Sequence, residues 1–225
     1  MFEHLLDPRV ILITWPVFLF SLSMHEFLHA WTADRLGDPT PRYMGRLTLN
    51  PIAHYDLIGT TMGLLIRVFG WAKPVPVNTA AFKWPKRDMM LTALGGPASN
   101  VVLAGCFGVV FKIAASLEPG GLGSWGPTVD VAEKMGAYGV LLNLSLALFN
   151  LIPLYPLDGH HILRGFLSVR AALAYDRMKY FGSYVLLALM VAGMPFIERP
   201  LVWIIRLGFS GRELERLRAA LEPLL

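Results

Sequence analysis

The residues best equipped for chemistry are His25-Glu26-Phe27-Leu28-His29, an HExxH motif. On a helix, positions i and i+4 share a face, so both imidazoles can reach one ion. Glu26 stands three positions before His29 on the same side, where it can act as general base toward an attacking water, as in metalloproteases. The three groups lie toward the end of an otherwise apolar run, Val10 to Ala33. Ionisable side chains inside a membrane segment are costly and by default functional.

A zinc hydrolase usually adds a third protein ligand and leaves the fourth position to water. A thermolysin-like glutamate is excluded, because no glutamate occurs between Glu26 and Glu118. A metzincin pattern is excluded too, since Thr32 and Arg35 stand where glycine and histidine would be required. Asp34, Asp38, His54, Asp56, Asp88, Asp158, His160 and His161 stay open as third ligand. Depth favours Asp158. The two histidines approach the inner end of an out-to-in helix, and Asp158 closes a second out-to-in run, 135–157. Pro153 and Pro156 before it and Gly159 after it free the chain to turn a carboxylate inward.

The composition says where such elements sit. Of 225 residues, 55% are hydrophobic and 16% charged, against about 25% charged in soluble domains. Mean hydropathy is +0.51. This implies a membrane protein and excludes a disordered or fibrous chain. The net charge of +4 is that of Lys and Arg gathered in cytoplasmic loops and does not imply nucleic acid. The single cysteine, Cys106, excludes an intrachain disulfide and a cysteine-based zinc cluster. Glu3, Asp7 and the lone Arg9 do not make a removable signal peptide.

Four runs read as spans: Val10–Ala33, Met89–Phe111, Met135–Leu157 and Tyr180–Ile197. Leu57–Gly70 is short, carries Arg67 and suits a re-entrant or interfacial element better than a span. Leu201–Phe209 is shorter still and leads into Gly211–Arg218, which reads as a surface helix; a fifth span around 200–222 stays open. The segments 34–88 and 158–179 are rich in Lys and Arg, and 116–133 has neither. The positive-inside rule puts the first two in the cytoplasm and the N-terminus outside. The expectation is an all-α polytopic membrane protein in one domain, 1–225, with a core at 8–179 and accessory helices at 180–225.

These motifs together resemble the site-2 protease family of intramembrane zinc metalloproteases. The resemblance rests on His25–His29 and on Asn150-Leu151-Ile152-Pro153-Leu154-Tyr155-Pro156-Leu157-Asp158-Gly159, which follows the family's NxxPxxPLDG pattern. Gly96-Pro97-Ala98-Ser99-Asn100 is similar to its GPxxN helix motif, and Leu49–Asp56 and Gly70–Asn78 look like its compact branch without a PDZ domain. The resemblance spans about residues 20–165. It implies one zinc ion per chain held by His25, His29 and Asp158, with Glu26 activating water. Asn150 and Asn100 match asparagines near the substrate cleft, with plain interhelical hydrogen bonding as the other reading. His54 is either a donor to a substrate carbonyl or oxyanion or an ordinary loop histidine, and Asp56 carries the same ambiguity. His160 and His161 are expected to face the interface, and Gly95 and Gly96 to allow close helix packing.

The apolar runs give 4–6 transmembrane helices, and Arg46–Asn50, 57–70 and Lys73–Asn78 are expected to form a small re-entrant or interfacial β element, as the family has. The implied partners are a transmembrane protein or peptide substrate and the lipid bilayer, with a homodimer left open. The implied location is the inner membrane of a bacterium or archaeon, with the site toward the cytoplasm. Two rivals stand beside the endopeptidase: an inactive membrane-binding scaffold, disfavoured by the intact Glu26, and a metal-dependent transporter, disfavoured by the lack of internal repeats.

Overall fold

The computed structural model describes residues 7–66, 70–117, 123–191 and 195–224. Three long helices form its centre: α1 (Pro8–Arg35), α5 (Pro85–Ser116) and α6 (Gly126–Asn150). Short helices α2 (Thr40–Tyr43), α3 (Pro51–His54) and α4 (Gly59–Ile66) lie between α1 and α5. After α6 come α7 (Asp158–Phe166), α8 (Val169–Arg177), α9 (Lys179–Val191), α10 (Pro195–Gly208) and α11 (Gly211–Leu221).

The start of α1 is written locally. Asp7 accepts the Arg9 backbone N–H at 2.8 Å, and Pro8 occupies the first turn, where its missing donor costs nothing. Val10, Ile13 and Val17 of α1 are buried against Phe111 of α5 and Ala137 and Val140 of α6. Small residues let the helices approach: a Cβ on Gly136 would stand 2.7 Å from the Phe111 backbone nitrogen. Their outward faces are apolar but exposed, as at Leu12, Val102 and Ile113. Helices α1 and α5 are each long and apolar enough to cross a membrane.

The run expected to span 135–157 is a helix only to Asn150. Pro153 and Pro156 lie beyond that end, and the chain turns before restarting at Asp158. The run 180–197 contains α9, with 192–194 outside the described residues.

Among the described residues no strand forms where the β element was expected. Arg46–Asn50 is irregular, and Asn50 instead caps α3 by accepting from Ile52 N at 3.1 Å. Residues 57–70 contain α4, with 67–69 outside the described residues and Asp56 accepting from Gly59 N at 2.7 Å. Residues 70–78 run without helix back past α4. Lys73 N donates to His54 O at 2.9 Å and Asn78 N to Asp38 Oδ2 at 2.6 Å. Pro74 and Pro76 have no N–H to give a ladder.

Helix α11, expected on the surface, buries Leu217 and Leu221 in the same core as α1, α5 and α6. It starts with a capping box: Ser210 N donates to Glu213 Oε2 at 2.6 Å, which holds that carboxyl below its ordinary range. Arg216 binds both oxygens of the buried Glu133, at 3.0 and 2.6 Å, and donates to Ala115 O. This clamp sits far along α6 from Asn150, about 25 Å by helical rise.

Candidate active site

His25 and His29 face α5 from α1. The His25 Nδ1 lies 2.6 Å from Asn100 Oδ1, and the His29 Nδ1 lies 2.8 Å from Thr92 O. The direction of these bonds follows from one atom further back. Asn143 Nδ2 is 2.9 Å from Gly139 O, a carbonyl that can only accept, so this amide end is the donor. The other end, Oδ1, therefore accepts from Asn100 Nδ2 at 2.8 Å, and Asn100 presents its Oδ1 to His25. Asn143 Nδ2 also reaches Ser21 Oγ at 2.9 Å, closing the chain back onto α1. His25 Nδ1 must then carry a proton, and so must His29 Nδ1 opposite the Thr92 carbonyl. In the neutral rings both Nε2 atoms are left with bare lone pairs.

Those two Nε2 atoms stand 3.0 Å apart. Two lone pairs at that distance repel unless a cation lies between them. Asp158 could supply a third partner for such a cation: Oδ2 is 3.2 Å from His25 Nε2 and Oδ1 is 3.3 Å from His29 Nε2. Asp158 Oδ2 is buried and has no hydrogen bond among the described residues. Ligands about 2.0–2.1 Å from a tetrahedral ion are separated by about 3.3 Å. The donor set, its spacing and the orphaned carboxylate oxygen all fit zinc.

Gly96 is what lets the rings come so close to α5. A Cβ there would overlap His29 Nε2 and the His25 ring. Gly95 likewise faces α1, where its Cβ would stand 3.0 Å from Leu28 O. Asp158 reaches the histidines from the first turn of α7, after the turn Leu151–Leu157, which contains a cis Tyr155–Pro156 bond. The Tyr175 hydroxyl of α8 donates to Pro153 O. The buried His160 ring stacks on Tyr175 with centroids 4.7 Å apart, and burial holds its imidazole below the ordinary histidine range.

The three groups open into a cleft of about 480 Å³ that Glu26, Asn150, Pro74, Val75 and His161 also line. Asn150 donates from Nδ2 to Leu146 O at 3.0 Å and faces this cleft. Asn100 is fully buried behind His25 and is not among the cleft-lining residues. His54 lies outside the cleft lining as well; it is buried, with its Nε2 donating to Thr48 O at 2.9 Å.

Of the other residues weighed as third ligand, His161 lines the cleft, and the four aspartates are engaged elsewhere. Asp34 pairs with Arg42 at 2.6 Å, and Asp38 holds the backbone N–H groups of Thr40 and Asn78. Asp56 caps α4, and Asp88 accepts from Trp84 N at 2.9 Å. His25, His29 and Asp158 alone form a group with metal-ligand spacing among the described residues. Thr92, Asn143 and Ser21 were missed by the sequence. Asn143 is a polar residue inside an apolar run, a signal that could have found it. Thr92 acts through a backbone carbonyl, which has no sequence signature.

The profile of Peptidase family M50 matches residues 14–193. YwhC of Bacillus subtilis, named as a zinc metalloprotease, is 39% identical over 175 residues, 77% of each chain. Rip2 of Mycobacterium tuberculosis (strain H37Rv), also so named, is 33% identical across 77% of this chain and 64% of its own. MJ0611 of Methanocaldococcus jannaschii is 38% identical across 47% of this chain and 51% of its own, under the same kind of name. No solved structure matches. The chain therefore belongs to peptidase family M50, the site-2 protease family, and is a zinc metalloprotease.

Proposed function

We propose that the chain is an intramembrane endopeptidase that cuts a transmembrane segment near its cytoplasmic end, with His25, His29 and Asp158 holding the zinc and Glu26 as general base. The observation that carries this reading is the convergence of two Nε2 lone pairs and one orphaned carboxylate on one point of a cleft that Glu26 also lines. Zinc supplies Lewis acidity and lowers the pKa of water to about 7.

The chain's own groups do the rest. The Glu26 carboxylate takes the proton of the attacking water and passes it to the leaving amine nitrogen. Asn100 and the Thr92 carbonyl keep the proton of each imidazole on Nδ1, so that Nε2 stays a ligand. Asn150, at the cleft wall, is placed to donate to the substrate carbonyl as charge develops there. A helical substrate must unwind before its carbonyl can be attacked. Residues 70–78 offer it an open backbone: Val75 and Val77 border the cleft, and their N–H groups have no partner among the described residues. Pairing there would be strand addition at a single edge. In this reading α6 and α9 cross the bilayer together with α1 and α5, and the site end faces the cytoplasm.

The test is Glu26→Gln in purified protein given a synthetic transmembrane peptide. Cleavage should stop with the zinc content unchanged. Undiminished cleavage would falsify the role of Glu26.

A further inference from the structure

A second and larger cavity, about 750 Å³, adjoins the cleft. The two share Val75, Val77, Met89 and His161 as a common wall. A polypeptide leaving the cleft along residues 75–77 enters this outer cavity next. Its positive lining comes from three separate elements: Lys86 at the start of α5, Arg164 on α7, and Lys179 at the start of α9. The single carboxylate of the lining, Asp176, is spent on Arg164, whose Nε lies 2.9 and 3.0 Å from its two oxygens. Lys86 donates to the Leu167 carbonyl and Lys179 stands 5.3 Å from the Tyr180 ring centroid. Neither lysine has a carboxylate partner among the described residues, so the lining keeps two uncompensated positive charges. Val169 and Leu173, both exposed, add an apolar rim.

Lys and Arg are common on a cytoplasmic face. What is particular here is their convergence from three elements on one cavity that continues the cleft. We propose that this outer cavity binds the cytoplasmic flank of the substrate and selects an acidic stretch there, carboxylates on Lys86 and Lys179 and apolar side chains on Val169 and Leu173. The proposal rests on the protease reading only for the direction in which substrate runs; binding itself does not require cleavage.

Binding is therefore measured first, on the full-length Glu26→Gln chain in phosphatidylcholine vesicles, which carry no net charge. The probes are two fluorescent transmembrane peptides with identical spans. One has a flank of Asp, Glu and Leu, the other of Lys, Arg and Leu. Two rim contacts of ordinary surface strength give about a fivefold preference for the acidic flank. Lys86→Glu with Lys179→Glu should invert it. Lys179→Gln alone, at an exposed position that leaves the Leu167 contact intact, should roughly halve it on the same contact strengths. Equal binding of both flanks, or a preference that survives the double reversal, overturns the proposal. So does a lysine-dependent affinity for phosphatidylglycerol vesicles with no flank preference, which would make the cavity a lipid-headgroup site. Cleavage of the same peptides by the unaltered protein is read separately. Flank-selective binding without any cleavage would sink the protease reading and leave the subsite standing.

Discussion

His25 and His29 ride on one continuous helix of 28 residues, and each has its Nδ1 fixed by a different atom of α5. Asp158 stands at the head of a nine-residue helix after a turn with two prolines, and its Oδ2 has no hydrogen bond among the described residues. The imidazoles are thus oriented by the protein before any metal arrives. The carboxylate is delivered by the path of the chain, and in the proposed site zinc would be its partner. The histidine side should be sensitive to any change in α5 or α6 behind it. The aspartate side should respond to whatever buttresses the turn.

Four substitutions sharpen this contrast, read as zinc affinity in detergent by competition with a chelator. Gly96→Val places methyl groups where both imidazoles now lie and should abolish measurable zinc binding. Zinc bound at ordinary affinity would show that the rings have room to retreat. Asn100→Ala removes the acceptor at His25 Nδ1 and should weaken zinc by roughly 10–100-fold. Asn143→Ala should follow it with a smaller loss, because it only frees the Asn100 amide to turn. Loss of one hydrogen bond in Tyr175→Phe is worth about 1 kcal/mol, so its zinc affinity should fall by less than tenfold. If that variant loses more than Asn100→Ala, the turn and not the helix pair is the more demanding support.

Arg216→Ala is the control at the far end of the bundle. It strands the buried Glu133 carboxylate and should cost about 3–5 kcal/mol of stability, seen as a lower thermal midpoint. Zinc affinity of the folded fraction should not change. A parallel loss of zinc would mean that the α11 clamp reaches the site.

The sequence was most informative where chemistry has a fixed spacing. The HExxH repeat gives two imidazoles on one helical face, and the proline pair before Asp158 gives a break and a turn. It was least informative where contacts join distant segments. Leu214, Leu217 and Leu221 look like the apolar stripe of a surface helix, and the contacts that dock this stripe on the core, such as the Arg216–Glu133 pair 83 positions apart, join segments that no local pattern links. Among the described residues the expected β element is absent for a local reason: the alternation in 46–50 and the extended Pro/Val stretch 73–78 do not make a ladder when Pro74 and Pro76 have no N–H and Asn50 is engaged in capping a helix. Asn100 was legible as a polar residue in an apolar helix, but not its direction. That direction depends on Gly139 O, two hydrogen bonds away.

The central claim is a single zinc site assembled from two distant parts of the chain. Metal analysis of the purified protein beside His25→Ala and Asp158→Ala tests it most directly. The account predicts about one zinc per chain in the unaltered protein, lost in both variants. Zinc retained in Asp158→Ala would contradict it and return the third ligand to the other carboxylates and imidazoles of the site end.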